Sequence, residues 1–378
     1  MKQMLVIILC SVLGLSALIA LGLHIKEREE YKKSPQGICE ELAGDTKKGL
    51  LAAALRTWED GTVSRCCYQY DADGNVTVLE ETDTDGDVRR TEYTYDSEGR
   101  VTDSRTTKND SFYEHISYSY DDGGKTVITF YEDGSIKLKQ TYDSGENCTG
   151  YWEYDTDGSE VLRREYTFNE DGTLAETVIY YEENLDSVET NTYLEDGSLS
   201  ETILYTNEYK IERWTSYTYN ERGQLVQKEA SDGDLQFLSM ETYEYDGEDH
   251  MCRKNTYSDY DTIGSYNCYD YALDGQLLEN ALFNGNGELQ LKGSYSYDEQ
   301  GRLLSELWTD AEGKQTKRTE YTYCSDETEA VSCRNYDAGD NLGDYYEKKI
   351  NEENGRVESE TGSEKGTGYT ETYYYGTK

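Results

Sequence analysis

The sequence predicts an all-β protein, a long antiparallel meander of roughly 25 short strands that coils into a solenoid-like or shell-like sheet. A unit of two tyrosines, an acidic turn and a glycine recurs along the chain, as in residues 93–101 and 295–303. Its first tyrosine recurs every 25 residues from Tyr68 and every 26 residues from Tyr217. The 378 residues include one proline but 38 tyrosines, and tyrosine favours strands.

Residues 295–303 (Tyr-Ser-Tyr-Asp-Glu-Gln-Gly-Arg-Leu) predict a strand, a tight turn and a returning strand. Tyr295 and Tyr297 are two apart, so they project from one face of a strand. Asp298 suits the first position of a type I turn, where its carboxylate accepts from backbone N–H groups two residues on. Gly301 suits the left-handed position of a three-residue hairpin loop with a G1 bulge.

This hairpin predicts a register for its flanking residues. Tyr297 faces Leu303 on one side of the sheet, and Asp298 faces Arg302 on the other, each pair contributing about 0.2–1 kcal/mol. The same logic pairs Tyr95 with Val101 and Asp96 with Arg100 in residues 93–101.

Lesser turns such as Asp85-Gly86 and Glu312-Gly313 lie between the marked ones, which gives one strand every 12 or 13 residues. Every connection is short, so neighbouring strands pair antiparallel. Adjacent strands twist by roughly 20–25°, so a sheet this long must coil, and we expect tyrosine rings to fill its thin core. Residues 141–150 and 182–188 follow the pattern weakly and predict irregular loops or bends.

The unit Tyr-x-Tyr-Asp-x-x-Gly-Arg-Leu/Val at 93–101 and 295–303 resembles the YD repeat of the RHS family. The resemblance covers most of residues 49–378 and implies strand–turn–strand units, often coiled into a hollow shell around a toxin. The chain departs from that family because it lacks the proline-bearing core that directs self-cleavage. Residues 369–375 still have a strand pattern where a toxin domain would follow. The resemblance therefore implies the fold, with toxin delivery only as an alternative.

Residues 4–23 form an uninterrupted apolar stretch, which as a helix spans the roughly 30 Å of a hydrocarbon core. We expect residues 1–26 to be an N-terminal transmembrane signal-anchor, with cleavage near residues 20–22 as the alternative. Residues 27–48 then form a juxtamembrane linker, in which residues 34–37 break a charged stretch and 38–46 form a short helix or linker. Residues 49–378 form the repeat domain, whose segment 50–56 we predict as a strand against its helical propensity.

Lys26, Arg28, Lys32 and Lys33 follow the apolar stretch and favour an inside location for the domain, but long domains can be translocated regardless of flanking charge. We expect a single-pass cell-membrane protein with the repeat domain outside. A net charge of -42 argues against nucleic acid and anionic membrane surfaces as partners. It is compatible with cations, basic proteins or neutral glycans.

The acidic runs, the histidines and the tryptophans are the candidates for metal binding, catalysis and sugar binding. The run from Glu81 to Glu92 approaches the spacing of an EF-hand loop, but its first residue is wrong and strands flank it, so turn formation is favoured. We predict no metal and no cofactor. His115 and His250 lack a nucleophile motif nearby, so we predict no enzyme activity. Trp58, Trp152, Trp214 and Trp308 either stack on sugar rings or, the favoured reading, fill the core.

Eight cysteines lie beyond the apolar stretch. Cys324 and Cys333 flank an acidic turn symmetrically, and Cys252 and Cys268 are symmetric about Tyr260, so these are candidate cross-strand disulfides. Buried free thiols are the alternative. Together these patterns predict a surface-exposed binding, adhesion or structural scaffold module with an unknown protein or glycan ligand. The alternatives are an accessory or remnant of an RHS-type toxin-delivery system, and a weak carbohydrate-binding protein.

Overall fold

The structure, a computed structural model, describes residues 34–324, 329–351 and 354–377. The predicted transmembrane helix in residues 1–26 lies outside the described residues, as does the start of the predicted linker. Within the described ranges, no helix is long and apolar enough to cross a membrane.

The first element, α1 (Pro35–Asp45), begins where we expected the chain to break a helix. Ser34 is its N-cap, and the backbone N–H of Gly37 donates to the Ser34 Oγ at 3.0 Å. Pro35 occupies the first turn, where its missing N–H and fixed φ are tolerated. Ser34 and Pro35, which we expected to end a helix, therefore begin one. The helix α1 buries Cys39 and Ala43.

Antiparallel strands occupy nearly all the remaining described residues, and the predicted number of roughly 25 is close to the observed set. The strands are β1 (Leu51–Trp58), β2 (Val63–Tyr70), β3 (Val76–Thr82), β4 (Val88–Tyr95), β5 (Val101–Lys108), β6 (Ser111–Asp121), β7 (Gly124–Phe130), β8 (Ile136–Asp143), β9 (Cys148–Tyr154), β10 (Glu160–Phe168), β11 (Leu174–Tyr181), β12 (Asn184–Tyr193), β13 (Leu199–Thr206), β14 (Ile211–Tyr219), β15 (Leu225–Ser231), β16 (Phe237–Tyr245), β17 (Met251–Asp259), β18 (Thr262–Tyr271), β19 (Leu277–Asn284), β20 (Leu289–Tyr297), β21 (Leu303–Asp310), β22 (Gln315–Tyr323), β23 (Ala330–Tyr336), β24 (Leu342–Ile350), β25 (Val357–Glu364) and β26 (Thr367–Tyr375).

The chain divides into two compact units, one of residues 34–120, 126–137 and 344–377, the other of residues 121–125 and 138–343, within the described ranges. In the first unit β1 to β6 pair in chain order, and β26 pairs with β1. In the second unit the strands from β8 to β23 pair in chain order. The antiparallel meander that the sequence predicts is confirmed.

The predicted hairpin register is also confirmed. Tyr297 lies opposite Leu303, and the Gly301 N–H donates to the Asp298 carbonyl at 3.0 Å with Gly301 at φ 81°. The Arg302 Nε lies 2.7 Å from Asp298 Oδ2. In the earlier unit Tyr95 lies opposite Val101, and Arg100 Nε lies 2.7 Å from Asp96 Oδ2.

Two segments that we expected to be irregular are ordinary hairpins. Residues 141–150 contain the β8–β9 turn, with Glu146 at φ 67°, and residues 182–188 begin with the β11–β12 turn. Glu182 and Glu183 have φ angles of 47° and 65°. Glutamate takes the left-handed position that glycine holds in most other turns. Because the prediction relied on glycine to mark a turn, it missed both hairpins. The strand predicted within residues 50–56 is confirmed as β1.

Most tyrosine rings of the described residues are half-buried, and some are exposed. Among the described residues, Tyr68 at 5% exposure is the one tyrosine in the set of buried apolar side chains. The most continuous buried cluster contains small residues instead, including Cys39, Ala53 and Cys67 beneath α1. The expected core of tyrosine rings is therefore only partly present.

The second tyrosine of the unit has a role that the sequence did not reveal. Tyr297 Oη donates to the Leu277 carbonyl at 2.9 Å, which belongs to the first residue of a strand 20 residues earlier. We call this bond a tyrosine link, because it joins one turn of the sheet edge to the previous turn on that edge. The bond satisfies a hydroxyl that burial would otherwise leave without water. The donors are Tyr70, Tyr95, Tyr120, Tyr193, Tyr219, Tyr245, Tyr271, Tyr297, Tyr323 and Tyr375.

Candidate functional site

The strongest departures from the repeat are two strained turns. Most turns of the described chain place glycine or a polar residue at the left-handed position, but Tyr209 and Leu235 occupy it at φ 58° and 62°. A left-handed conformation costs a residue with a Cβ about 1–2 kcal/mol. Glycine at both positions would stabilise the fold, so folding does not explain the large side chains of Tyr209 and Leu235.

The two strained turns are neighbours at one edge of the second unit. Tyr209 lies between β13 and β14, and Leu235 lies between β15 and β16. The backbones are in contact, since a Cβ added to Gly233 would lie 2.2 Å from the Ile211 carbonyl oxygen.

The next turn along this edge, between β17 and β18, adds the aromatic side chain of Tyr260. The rings of Phe237 and Tyr260 meet edge to face with centroids 5.0 Å apart. Tyr260 Oη donates to the Leu235 carbonyl at 3.4 Å. Three successive turns of one edge are thereby joined through apolar side chains and backbone.

We call Tyr209, Ile211, Leu235, Phe237 and Tyr260 the apolar turn row. Tyr209 is 66% exposed, Leu235 62%, Tyr260 45% and Ile211 39%, while Phe237 is half-buried beneath them. Exposed apolar side chains gathered on neighbouring turns mark interaction sites more often than isolated apolar residues do. Its position on adjacent hairpin tips makes it accessible to a partner.

Acidic groups surround the apolar turn row. The nearby carboxylates within the three turns are Glu208, Asp232, Asp234, Asp259 and Asp261, against one lysine, Lys210. Lys210 pairs with Glu208, and the Asp232 carboxylate accepts from the Asp234 N–H at 2.9 Å. The row is therefore an apolar strip within a negatively charged frame.

The sequence does contain a signal for this row. Counting back from Gly313 and Gly287 in steps of the 26-residue period reaches positions 261, 235 and 209. Tyr209 and Leu235 thus stand where the repeat elsewhere has glycine. The missing glycines are therefore the sequence signal for this row.

The two predicted candidate histidines are each beside one carboxylate. His115 Nε2 lies 2.7 Å from Asp103 Oδ2, and the His115 ring stacks on Phe130 with centroids 4.6 Å apart. His250 Nδ1 lies 3.2 Å from Asp246 Oδ2. A shallow hollow of about 300 Å³ in the second unit is lined by polar side chains that include Asp246, but by neither histidine.

The acidic run from Glu81 to Glu92 serves the turn and the strand face. Asp83 Oδ1 accepts from the backbone N–H groups of Asp85 and Asp87 at 2.9 and 3.0 Å. Glu92 pairs with Arg90 at 2.6 Å. In the described part of the chain, no group of three or more His, Cys, Asp or Glu side chains is arranged to hold a metal ion.

All eight cysteines of the described residues are free thiols. Cys268 lies opposite Arg253, so it and Cys252 project from opposite faces of the sheet. Cys333 lies opposite Tyr321 rather than Cys324. A disulfide needs Cβ atoms about 3.5–4.5 Å apart. The two cross-strand bridges therefore stay predictions that the register does not favour.

The four tryptophans are half-buried, and Trp58, Trp152 and Trp308 lie against protein side chains. Trp58 lies 5.4 Å from the Tyr369 ring, and Trp308 lies 6.3 Å from the Tyr295 ring, measured between centroids. The Lys139 Nζ lies 4.8 Å from the Trp152 centroid. These contacts favour the core role over sugar stacking.

Comparison with known proteins gives no family. No family model matches the chain, and no curated protein matches it. Among solved structures, a complex of TcdB2-TccC3 with Cdc42 matches at a TM-score of 0.36 and 12% identity, over 80% of this chain and 20% of that chain. The Photorhabdus luminescens Tc holotoxin pore matches at 0.33 and 13%, over 82% and 20%.

A porin-like protein from Bacteroides uniformis matches at a TM-score of 0.19 and 9% identity, over 86% of this chain and 98% of that chain. The chain spans about a fifth of the length of the two toxin chains it matches. Similarity at this level says nothing about function. The fold is defined by the strand pairing and the hairpin geometry of this chain.

Proposed function

We propose that the chain is a non-catalytic binding module whose repeat sheet presents the apolar turn row to a protein partner. One observation carries the proposal: Tyr209 and Leu235 are strained and 66% and 62% exposed in adjacent turns. Neither side chain gains the burial that would offset the strain within this chain. Contact with a partner would supply that burial.

The charge around the row selects the chemistry of the partner. The acidic frame and the net charge of -42 favour a protein that presents apolar side chains flanked by lysine or arginine. Complementary charge of this kind accelerates encounter and sets orientation, while the apolar contacts provide most of the affinity.

We propose further that the apolar stretch of residues 4–23 anchors the chain in the cell membrane with the sheet outside. The length and composition of that stretch support an export role. Protease treatment of intact cells should then remove the repeat sheet from the cells. A sheet that survives this treatment but is digested after lysis would contradict the outside location.

A second candidate is an accessory role in an RHS-type toxin-delivery system. The confirmed hairpin of Tyr297, Asp298, Gly301 and Leu303 supports it, because it has the local geometry expected of a YD-type repeat. This role predicts stable co-purification with a toxin component. A weak carbohydrate-binding role has less support, since most of the tryptophans lie against protein side chains, and a glycan array tests it.

The binding proposal is tested by photocrosslinking on intact cells. A photoreactive residue in place of Leu235 should capture a basic protein, with capture reduced by added salt. The matched control is Leu273, which is 96% exposed in a turn at the opposite edge of the same unit. Identical products from positions 235 and 273, or an acidic captured protein, would overturn the proposal.

A further inference from the structure

Two cysteines from different elements meet beneath α1. Cys39 projects from the helix and is 0% exposed, and Cys67 projects from β2 and is 6% exposed. The two thiols lie close enough that each shifts the pKa of the other. Both belong to one buried cluster with Ala53 and Leu55, so the two side chains pack in the same apolar region beneath the helix.

Other contacts also hold the helix on the sheet. Thr377 N–H donates to the Ala43 carbonyl at 2.9 Å, and Leu42 packs against the same buried cluster. A helix of 11 residues is marginal by itself and depends on packing. The contact between Cys39 and Cys67 therefore lies where a covalent bond would hold the helix most effectively.

We propose that Cys39 and Cys67 form a disulfide that ties α1 to the first hairpin of the sheet when the chain folds under oxidising conditions. Buried free thiols are common as small apolar residues, but here two of them, from different elements, share one buried cluster. The bond would join the segment that follows the N-terminal apolar stretch to β2 through side chains, in addition to the backbone of residues 46–50.

The chemistry is an exchange with a disulfide-bearing oxidant, such as oxidised glutathione or a thiol–disulfide oxidase. The thiolate of Cys39 attacks one sulfur of the oxidant, and the other sulfur leaves as a thiolate. The thiolate of Cys67 then attacks the Cys39 sulfur and releases the second thiol. Both cysteines lose their protons, and two electrons pass to the oxidant, which departs as two thiols.

In the folded chain the pKa values of the two thiols are shifted in opposite directions. The Cys67 thiol holds the pKa of Cys39 below its usual range, and the Arg65 guanidinium adds to this effect. The Cys39 thiol, together with burial, raises the pKa of Cys67. Both thiols are buried once α1 packs on the sheet, so we expect the exchange with the oxidant to take place during folding.

Cys66 provides a control within the same strand. It neighbours Cys67 and so projects from the opposite face, where its thiol donates to Tyr68 Oη at 3.3 Å. The proposal predicts that Cys66 remains unpaired with Cys39.

The experiment folds the full-length chain in a glutathione redox buffer, alkylates free thiols in denaturant and digests the product with trypsin. Cleavage after Lys33, Lys47, Arg65 and Arg89 releases residues 34–47 and 66–89. We expect these peptides to be linked, to separate on reduction, and to account for two fewer alkylated thiols than the reduced protein has.

Two variants assign the partner. The linkage should persist in Cys66→Ser and disappear in Cys67→Ser. Alkylation of both Cys39 and Cys67 in the oxidised wild-type chain would overturn the proposal, as would a linkage that Cys66→Ser removes and Cys67→Ser retains. Because the buffer supplies the oxidant, the result does not depend on the membrane location or on the apolar turn row.

Discussion

Two turns of the second unit share one geometry but differ in the residue type at the left-handed position. In the turn after β20, the Gly301 N–H donates to the Asp298 carbonyl at 3.0 Å; in the turn after β15, the Leu235 N–H donates to the Asp232 carbonyl at the same distance. Gly301 has φ 81° and Leu235 has φ 62°. Both aspartates also accept from the backbone N–H two residues on at 2.9 Å.

The comparison shows that the turn conformation comes from the aspartate and the backbone bonds, not from glycine alone. Glycine lowers the free energy of the left-handed position, but the turn forms without it. A large apolar residue there is consequently a feature that folding tolerates and does not need. Substitutions at the left-handed position test this distinction, and alkaline pH and a tyrosine variant test the tyrosine links on the regular edge.

Alkaline pH should unfold the edge that carries the tyrosine links. Burial raises the pKa of Tyr297 and of Tyr95, and raises the pKa of Tyr93 to about 12. An unfolded tyrosine titrates near pH ~10, so the stabilisation is complete below that pH and is lost as pH rises through the higher folded values. We expect near-ultraviolet circular dichroism to collapse above pH ~10. Full retention of the signal to pH ~12 would contradict the role of the links.

The variant Gly301→Leu gives the regular turn the residue type found at position 235. It should lower the free energy of unfolding by about 1–2 kcal/mol, because the backbone stays left-handed. The new Cβ would lie 3.0 Å from Gln276 Nε2, a flexible side-chain end that can move aside. Urea unfolding measures the change, and an unaltered midpoint would mean that Leu235 is not strained.

Tyr297→Phe removes one tyrosine link and keeps the ring. The Leu277 carbonyl loses the donor at 2.9 Å, and we expect a loss of about 1 kcal/mol in urea unfolding. Tyr209→Phe is the matched control, since Tyr209 is 66% exposed and its hydroxyl is open to water. Equal losses in both variants would show that the link contributes nothing specific.

Leu235→Gly should have the smallest and opposite effect on stability. Relief of the left-handed strain exceeds the added chain entropy, so the free energy of unfolding should rise by about 0.5 kcal/mol. Partner capture by a photoreactive residue at neighbouring Tyr209 should fall at the same time. A variant that loses stability would show that Leu235 serves the fold.

Much of the fold follows from local sequence. Tyr297, Asp298, Gly301 and Leu303 lie within seven residues, and the interactions that fix their turn and register all occur inside that span. Where the local residues were unusual, prediction was wrong: Glu182 takes a glycine position, and a hairpin was taken for an irregular loop.

Local sequence patterns did not predict the candidate site. The row of Tyr209, Leu235 and Tyr260 joins residues from turns about 26 positions apart, and exposure depends on how neighbouring strands cover each side chain. The period indicates equivalent positions but does not show which side chains remain uncovered.

The sequence by itself determined the strand–turn–strand unit, because side-chain alternation and turn chemistry act over a few residues. The tertiary structure alone decided the partners of those units. It brings Tyr297 Oη to a carbonyl 20 residues away and places Cys39 of α1 against Cys67 of β2. Such contacts depend on how strands and helix stack in three dimensions, and the spacing of residues along the chain does not specify that arrangement.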